Sequence, residues 1–234
     1  MFWNGYANRL LGIDKSNLVR LFYNNEKSGS TVKDHSPNNR TATIVGATVN
    51  NETQPNGMSG FSFDGITDRI DAGGTDMGTD FPDGQIGTVV MWVREPAWSD
   101  GITSVYFGGN IPDVARVEII KSASVNRLAS AWQGNIGYKK YEYTDMVNLV
   151  GNDWFCCGMR WNANTPRIEL WVNGVMLGAD TVDAGSFVGA MSKIGYGARG
   201  DNVVGYFYAT IRTGLFGLWK SWLTDDEMKR AMKI

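Results

Sequence analysis

The sequence predicts an all-β protein, a two-sheet antiparallel β-sandwich with a short C-terminal helix. Three observations predict it. The 234 residues hold 29 glycines against 6 prolines and 2 cysteines, and runs rich in Val, Ile, Thr, Tyr and Trp recur between glycine-containing turns, a pattern of strands rather than helices. The readable runs alternate with period two or are apolar on both faces. A helix start signal stands only near the C-terminus.

In chain order, strands are expected over 18–23, 42–45, 60–63, 69–71, 88–93, 104–107, 115–121, 127–133 and 139–143. They continue over 154–161, 167–172, 175–180, 193–197, 204–211 and 215–220. So many strands exceed one open twisted sheet, hence two packed sheets. In 167–172, Ile168, Leu170 and Val172 share one face and Arg167, Glu169 and Trp171 the other. Asn173-Gly174 then supplies the two positive-φ positions of a type I′ hairpin into Val175. Thr88-Val89-Val90-Met91-Trp92-Val93 is apolar on both faces, which suits a central strand covered on both sides. In Leu223-Thr224-Asp225-Asp226-Glu227-Met228, Thr224 and Glu227 read as a capping box inside a Leu223/Met228 staple.

Twenty-two Lys and Arg against 24 Asp and Glu give a formal charge of −2, which offers no basic field for a phosphate backbone, so no nucleic-acid partner is expected. Met1-Phe2-Trp3-Asn4-Gly5 lacks the basic and apolar segments of a secretion signal, and no stretch approaches the roughly 18 apolar residues of a membrane span. Cys156 and Cys157 are adjacent in one strand, face opposite ways and should not pair; they read as buried small hydrophobes. Residues 1–16 carry Phe2, Trp3, Tyr6, Leu10, Leu11 and Ile13, too apolar for a free tail, and are read as an arm that packs on something, either a partner or the edge of its own domain. Residues 17–234 form the domain.

Five segments in order carry a resemblance. They are Asn17–Asn24 with the Ser28-to-Asp34 turn, Ser62-Phe63-Asp64-Gly65-Ile66-Thr67-Asp68-Arg69-Ile70, Thr88 to Val93, Trp154 through Glu169-Leu170-Trp171-Val172-Asn173-Gly174, and Leu218 to Glu227. The chain resembles the concanavalin A-like jelly rolls of the laminin-G-like class over 17–232. That resemblance implies the fold. It leaves function open among lectins, adhesion modules, glycanases and virion surface proteins.

Glycanases of this fold carry Glu-x-Asp-x-Glu on one strand, since alternate residues face one cleft and retaining chemistry needs carboxyls about 5 Å apart. No such triplet occurs, and Glu118, Glu142 and Glu169 read as solvated strand residues. His35 is the only histidine, which disfavours a Ser-His-Asp or histidine-metal mechanism. Members of the class often hold calcium. Asp64 and Asp68 match their acidic positions, but Gly214 stands where many carry an aspartate, so no cofactor is expected, calcium being the one candidate. Aromatic rings remain as a means of stacking on sugars. The candidate glycan-binding residues are Trp132, Gln133, Tyr138, Lys139, Tyr141 and Tyr143, with Trp98 and Tyr196 near turns.

The function expected from these features is that of a non-catalytic surface protein, a phage virion decoration or attachment subunit that also touches glycans. Its partners would be other capsid proteins, or itself through the arm, and cell-surface polysaccharide; its place is the virion surface. Two alternatives stand beside it, a secreted or cell-surface lectin module and a glycan hydrolase.

Overall fold

The computed structural model describes residues 13, 15–50, 59–73, 76–96, 98, 103–111, 115–122, 126–183, 185, 189–197 and 211–233. Its strands are β1 (Leu18–Phe22), β2 (Thr31–Val32), β3 (Ala42–Val45), β4 (Thr48–Asn50), β5 (Gly60–Ser62), β6 (Arg69–Asp71), β7 (Ile86–Arg94) and β8 (Ser104–Ile111). There follow β9 (Ala115–Lys121), β10 (Leu128–Gly134), β11 (Gly137–Tyr143), β12 (Trp154–Asn162), β13 (Arg167–Val172), β14 (Val175–Asp180), β15 (Lys193–Tyr196) and β16 (Arg212–Trp219). The helices are α1 (Met77–Asp80), α2 (Met146–Val150) and α3 (Asp225–Met232).

Among the described residues the strands form two eight-stranded antiparallel sheets. The first runs β14-β13-β12-β7-β16-β5-β4, and β1 pairs with β16 beyond the irregularity between Thr213 and Phe216. The second runs β11-β10-β9-β8-β15-β6-β3-β2. Pairings such as β7 with β12 and β9 with β10 leave the inner faces of both sheets to pack on each other. The molecule is an all-β sandwich closed by a short C-terminal helix.

Alternation decides which core each side chain enters. Along β7, Val89, Met91 and Val93 join the inter-sheet core while Val90 and Trp92 enter a second core on the outside of the first sheet. The adjacent cysteines divide the same way, Cys157 inward and Cys156 outward, both fully buried and free. The second core lies under α3, which contributes Met228, Ala231 and Met232. Thr224 and Glu227 form the reciprocal capping box, and Leu223 and Met228 are both buried beside it. Asn173 and Gly174 take φ of 49° and 79°, as a type I′ hairpin requires.

Arg160 fixes this outer layer. Its guanidinium lies 4.8 Å from the Trp171 ring and 4.5 Å from the Trp222 ring, donates to Glu169, and reaches Asp225 Oδ1 at 2.8 Å. Glu169 is 1% exposed and also accepts from Arg167 Nε and Trp171 Nε1. The expectation of a solvated Glu169 is therefore corrected. On this sheet the face outside the sandwich is itself covered, so a polar residue there is buried and must be paired.

Most strands stand where the sequence predicts them, with β3, β6, β9, β13 and β14 at the expected limits. The short strands β2 and β4 and the helices α1 and α2 are additions, each too brief to leave a periodic signal. The strand expected over 204–211 falls almost wholly outside the described residues. So does most of the arm; Ile13 is described and is buried in the outer core of its own domain.

Candidate functional site

The outer face of the second sheet, over β8 to β11, carries a groove of about 260 Å³ lined by Arg116, Glu118, Ile120, Ala129, Tyr138, Lys140 and their neighbours. That volume falls just below the ~300 Å³ at which small-molecule sites begin. Strand register builds it in rows. Gln133 of β10 sits opposite Tyr138 of β11 and Arg116 of β9. In the next row Ala131 sits between Lys140 and Glu118, and then Ala129 between Glu142 and Ile120. Two alanines on the central strand make a low floor. Longer polar side chains on the flanking strands make the walls, because same-face residues lie two apart along each strand.

The walls alternate in charge. Arg116 Nε approaches Glu118 Oε2 at 3.3 Å, and Arg116 also lies 5.6 Å from the Tyr138 ring centroid, a cation–π distance. The first contact is an ion pair without hydrogen-bond alignment, so Arg116 Nε is a buried donor that makes no hydrogen bond. Lys140 Nζ and Arg127 Nη1 each donate to Glu142 at 2.7 Å. Burial pushes the Glu142 carboxyl up, but the hydrogen bonds from Lys140 and Arg127 outweigh it and hold the group below the ordinary carboxylate range. Glu118 is 2% exposed, so the expectation of a solvated strand residue is corrected for it as well.

The structure divides the six sequence-derived candidates between two faces. Tyr138, 41% exposed, lies on the groove, and Gln133, its register partner, shares that face half-buried. Trp132 is corrected: with Leu128 it points into the inter-sheet core and has no exposed surface, so its ring is closed to any ligand. Lys139, opposite Trp132, and Tyr141 and Tyr143 lie on the same side as Trp132, away from the groove. Tyr141 and Tyr143 pack against the core, and the Tyr141 hydroxyl donates to Leu177 O of β14 at 2.7 Å, tying the two sheet edges together. Trp98 and Tyr196 are core residues too.

Sequence reasoning missed Arg116, Glu118, Lys140 and Glu142 as one constellation. Arg116-x-Glu118 and Tyr138-x-Lys140-x-Glu142 each share a face by alternation, which was legible; that β10 aligns them across one floor was not.

Comparison with known proteins places the fold. The chain superposes on the receptor-binding domain of botulinum neurotoxin C/D mosaic serotype with a TM-score of 0.71 at 12% identity, covering 92% of this chain and 51% of that one. The binding domain of botulinum neurotoxin DC in complex with rat synaptotagmin II gives 0.65 at 13% identity, with 92% and 51% covered. The same domain in complex with SialylT gives 0.68 at 13%, with 92% and 50% covered. The chain thus spans about half the length of these solved chains. No protein-family model matches it, and no curated protein matches it.

Asp64 and Asp68, the calcium candidates, are engaged in a turn. Asp64 Oδ1 accepts from the backbone N–H groups of Ile66, Thr67 and Asp68 at 2.8 to 3.1 Å, and Asp68 Oδ2 accepts from Asp64 N at 3.0 Å. Gly214, at the expected ligand gap, gives its carbonyl to Asn24 Nδ2. Among the described residues no three His, Cys, Asp or Glu side chains stand close enough to hold a metal ion, and no helix is long and apolar enough to cross a membrane.

Proposed function

We propose that this chain is a non-catalytic recognition domain that binds carbohydrate in the β8–β11 groove. One observation carries the reading. The half-exposed Tyr138 ring stands at a groove whose walls present carboxylate acceptors and ammonium and guanidinium donors above an alanine floor. An aromatic plane for a sugar's C–H face and paired donors and acceptors for its hydroxyls are what a monosaccharide-sized ligand requires. That domains of the same fold are receptor-binding domains, one in complex with SialylT, supports a binding role.

The groove's carboxylates argue against hydrolysis. Glycosidic cleavage needs one carboxyl that keeps its proton near neutral pH. Glu142 is held ionised by Lys140 and Arg127 and so does not supply it.

The laminin-G-like assignment, and display on a virion as a decoration or attachment subunit, are finer parts of the same proposal. They rest on the motif order and on the apolar composition of residues 1–16. Deleting residues 1–12 should leave the domain folded but abolish self-association or attachment to a particle.

The test is a glycan array followed by titration of the best member. Tyr138→Ala should weaken binding at least tenfold with an unchanged melting temperature. Equal binding by wild type and variant would remove the groove from the reading.

A further inference from the structure

The groove's own charges select its ligand class: we infer that it takes neutral, hydroxyl-rich sugars and discriminates against sialylated, uronic or sulfated ones. The inference rests on the carbohydrate reading above and deepens it.

The charged residues lining the groove are two cations, Arg116 and Lys140, and two carboxylates, Glu118 and Glu142. Neither cation is free. Lys140 Nζ lies 2.7 Å from Glu142 Oε2, and Arg116 Nε lies 3.3 Å from Glu118 Oε2. A carboxylate or sulfate on the ligand would have to displace one of these built-in carboxylates from its cation. It would otherwise lie beside Glu118, whose side chain is only 3% exposed and is poorly screened by solvent. Glu142 carries the same sign and already holds both Lys140 and Arg127.

A hydroxyl meets no such conflict, because it donates and accepts at once. It can donate to Glu142 while accepting from Lys140, bridging that ion pair without breaking it. Lys140, whose side chain is 43% exposed, presents donors that a ligand oxygen can reach. The Tyr138 ring supplies contact that does not depend on charge.

The experiment uses the full chain on an array of matched neutral, sialylated and sulfated oligosaccharides. The best neutral member and its sialylated derivative are then titrated at low and high salt. Neutral members should bind about tenfold tighter than their acidic counterparts, with affinity nearly independent of salt. Glu142→Gln, which frees Lys140 and Arg127, should narrow that gap, and Glu118→Gln should do the same through Arg116. Acidic members binding as well as or better than neutral ones, with binding still lost in Tyr138→Ala, would overturn the charge selection and leave the site standing. Strong salt dependence of the neutral ligand would overturn it too. An array without any bound member would sink the carbohydrate reading, and this inference with it.

Discussion

The Tyr196 hydroxyl donates a 2.7 Å hydrogen bond to Asn24 Oδ1, joining β15 of one sheet to the turn after β1 of the other across 172 residues of sequence. Both residues are fully buried, and Asn24 holds a left-handed φ of 52° while its amide donates to Gly214 O. Asparagine tolerates that conformation better than most residues. The Tyr196 ring stacks on Phe216 at 4.9 Å. Tyr196→Phe keeps the stack and strands the Asn24 carbonyl, so it should cost about 1–3 kcal/mol in urea unfolding. A change below measurement error would show that water replaces the hydroxyl.

Trp132 separates a core reading from a ligand reading. Its side chain has no exposed surface, so Trp132→Ala should cost about 3–5 kcal/mol of stability. Ligand affinity of whatever fraction remains folded should be unchanged. Loss of affinity at wild-type stability would contradict the placement of the ring.

Arg160→Met should loosen the C-terminal helix. Removing the guanidinium leaves the buried Glu169 without its Arg160 partner and removes the cation from the Trp171 and Trp222 rings. Breaking one side of a buried pair costs about 3–5 kcal/mol. Here Arg167 and Trp171 Nε1 still serve Glu169, which puts the expected loss at the low end. Chemical unfolding, with hydrogen exchange of the α3 amides, measures it; native protection of α3 in the variant would refute the clamp.

Stability should fall in alkali. Burial pushes the Cys156 and Cys157 thiols and the Tyr196 phenol up from their ordinary values of 9.0 and 10.0. A group raised in the fold contributes stability that is complete below its unfolded value and is lost as pH rises toward its folded value. The urea midpoint should therefore hold from neutral pH to about 9 and then drop, more steeply beyond about 10. Cys157→Ala should flatten the first part of the fall. A midpoint independent of pH across this window would show that the thiols titrate normally.

Calcium should change the melting temperature by less than about 1 °C, and chelation likewise, because Asp64 Oδ1 is saturated by three backbone donors. An ion bound tightly to the native state would raise it by mass action. A calcium-dependent rise of many degrees would mean that another oxygen set holds the ion.

What the sequence determined by itself was whatever depends on neighbours along the chain. The two-sided apolar run at Thr88 to Val93, the Asn173-Gly174 hairpin, the Thr224/Glu227 cap and the opposite facing of Cys156 and Cys157 all follow from period, turn chemistry and capping. Alternation also sets Trp132 and Ala131 on opposite faces, although the six aromatic-segment candidates were expected to form one site. It could not say which face was wet. That was decided by what each face packs against: β10 turns Trp132 into the inter-sheet core and Ala131 outward, while outside the first sheet α3 packs on β7 and β12 and Glu169 of β13 is buried against Arg160 and Trp171. The groove is likewise a product of pairing. Arg116 and Tyr138 are 22 residues apart and meet only because β9 and β11 both pair with β10, a long-range register that hydrogen bonding and core packing select and that no local pattern encodes.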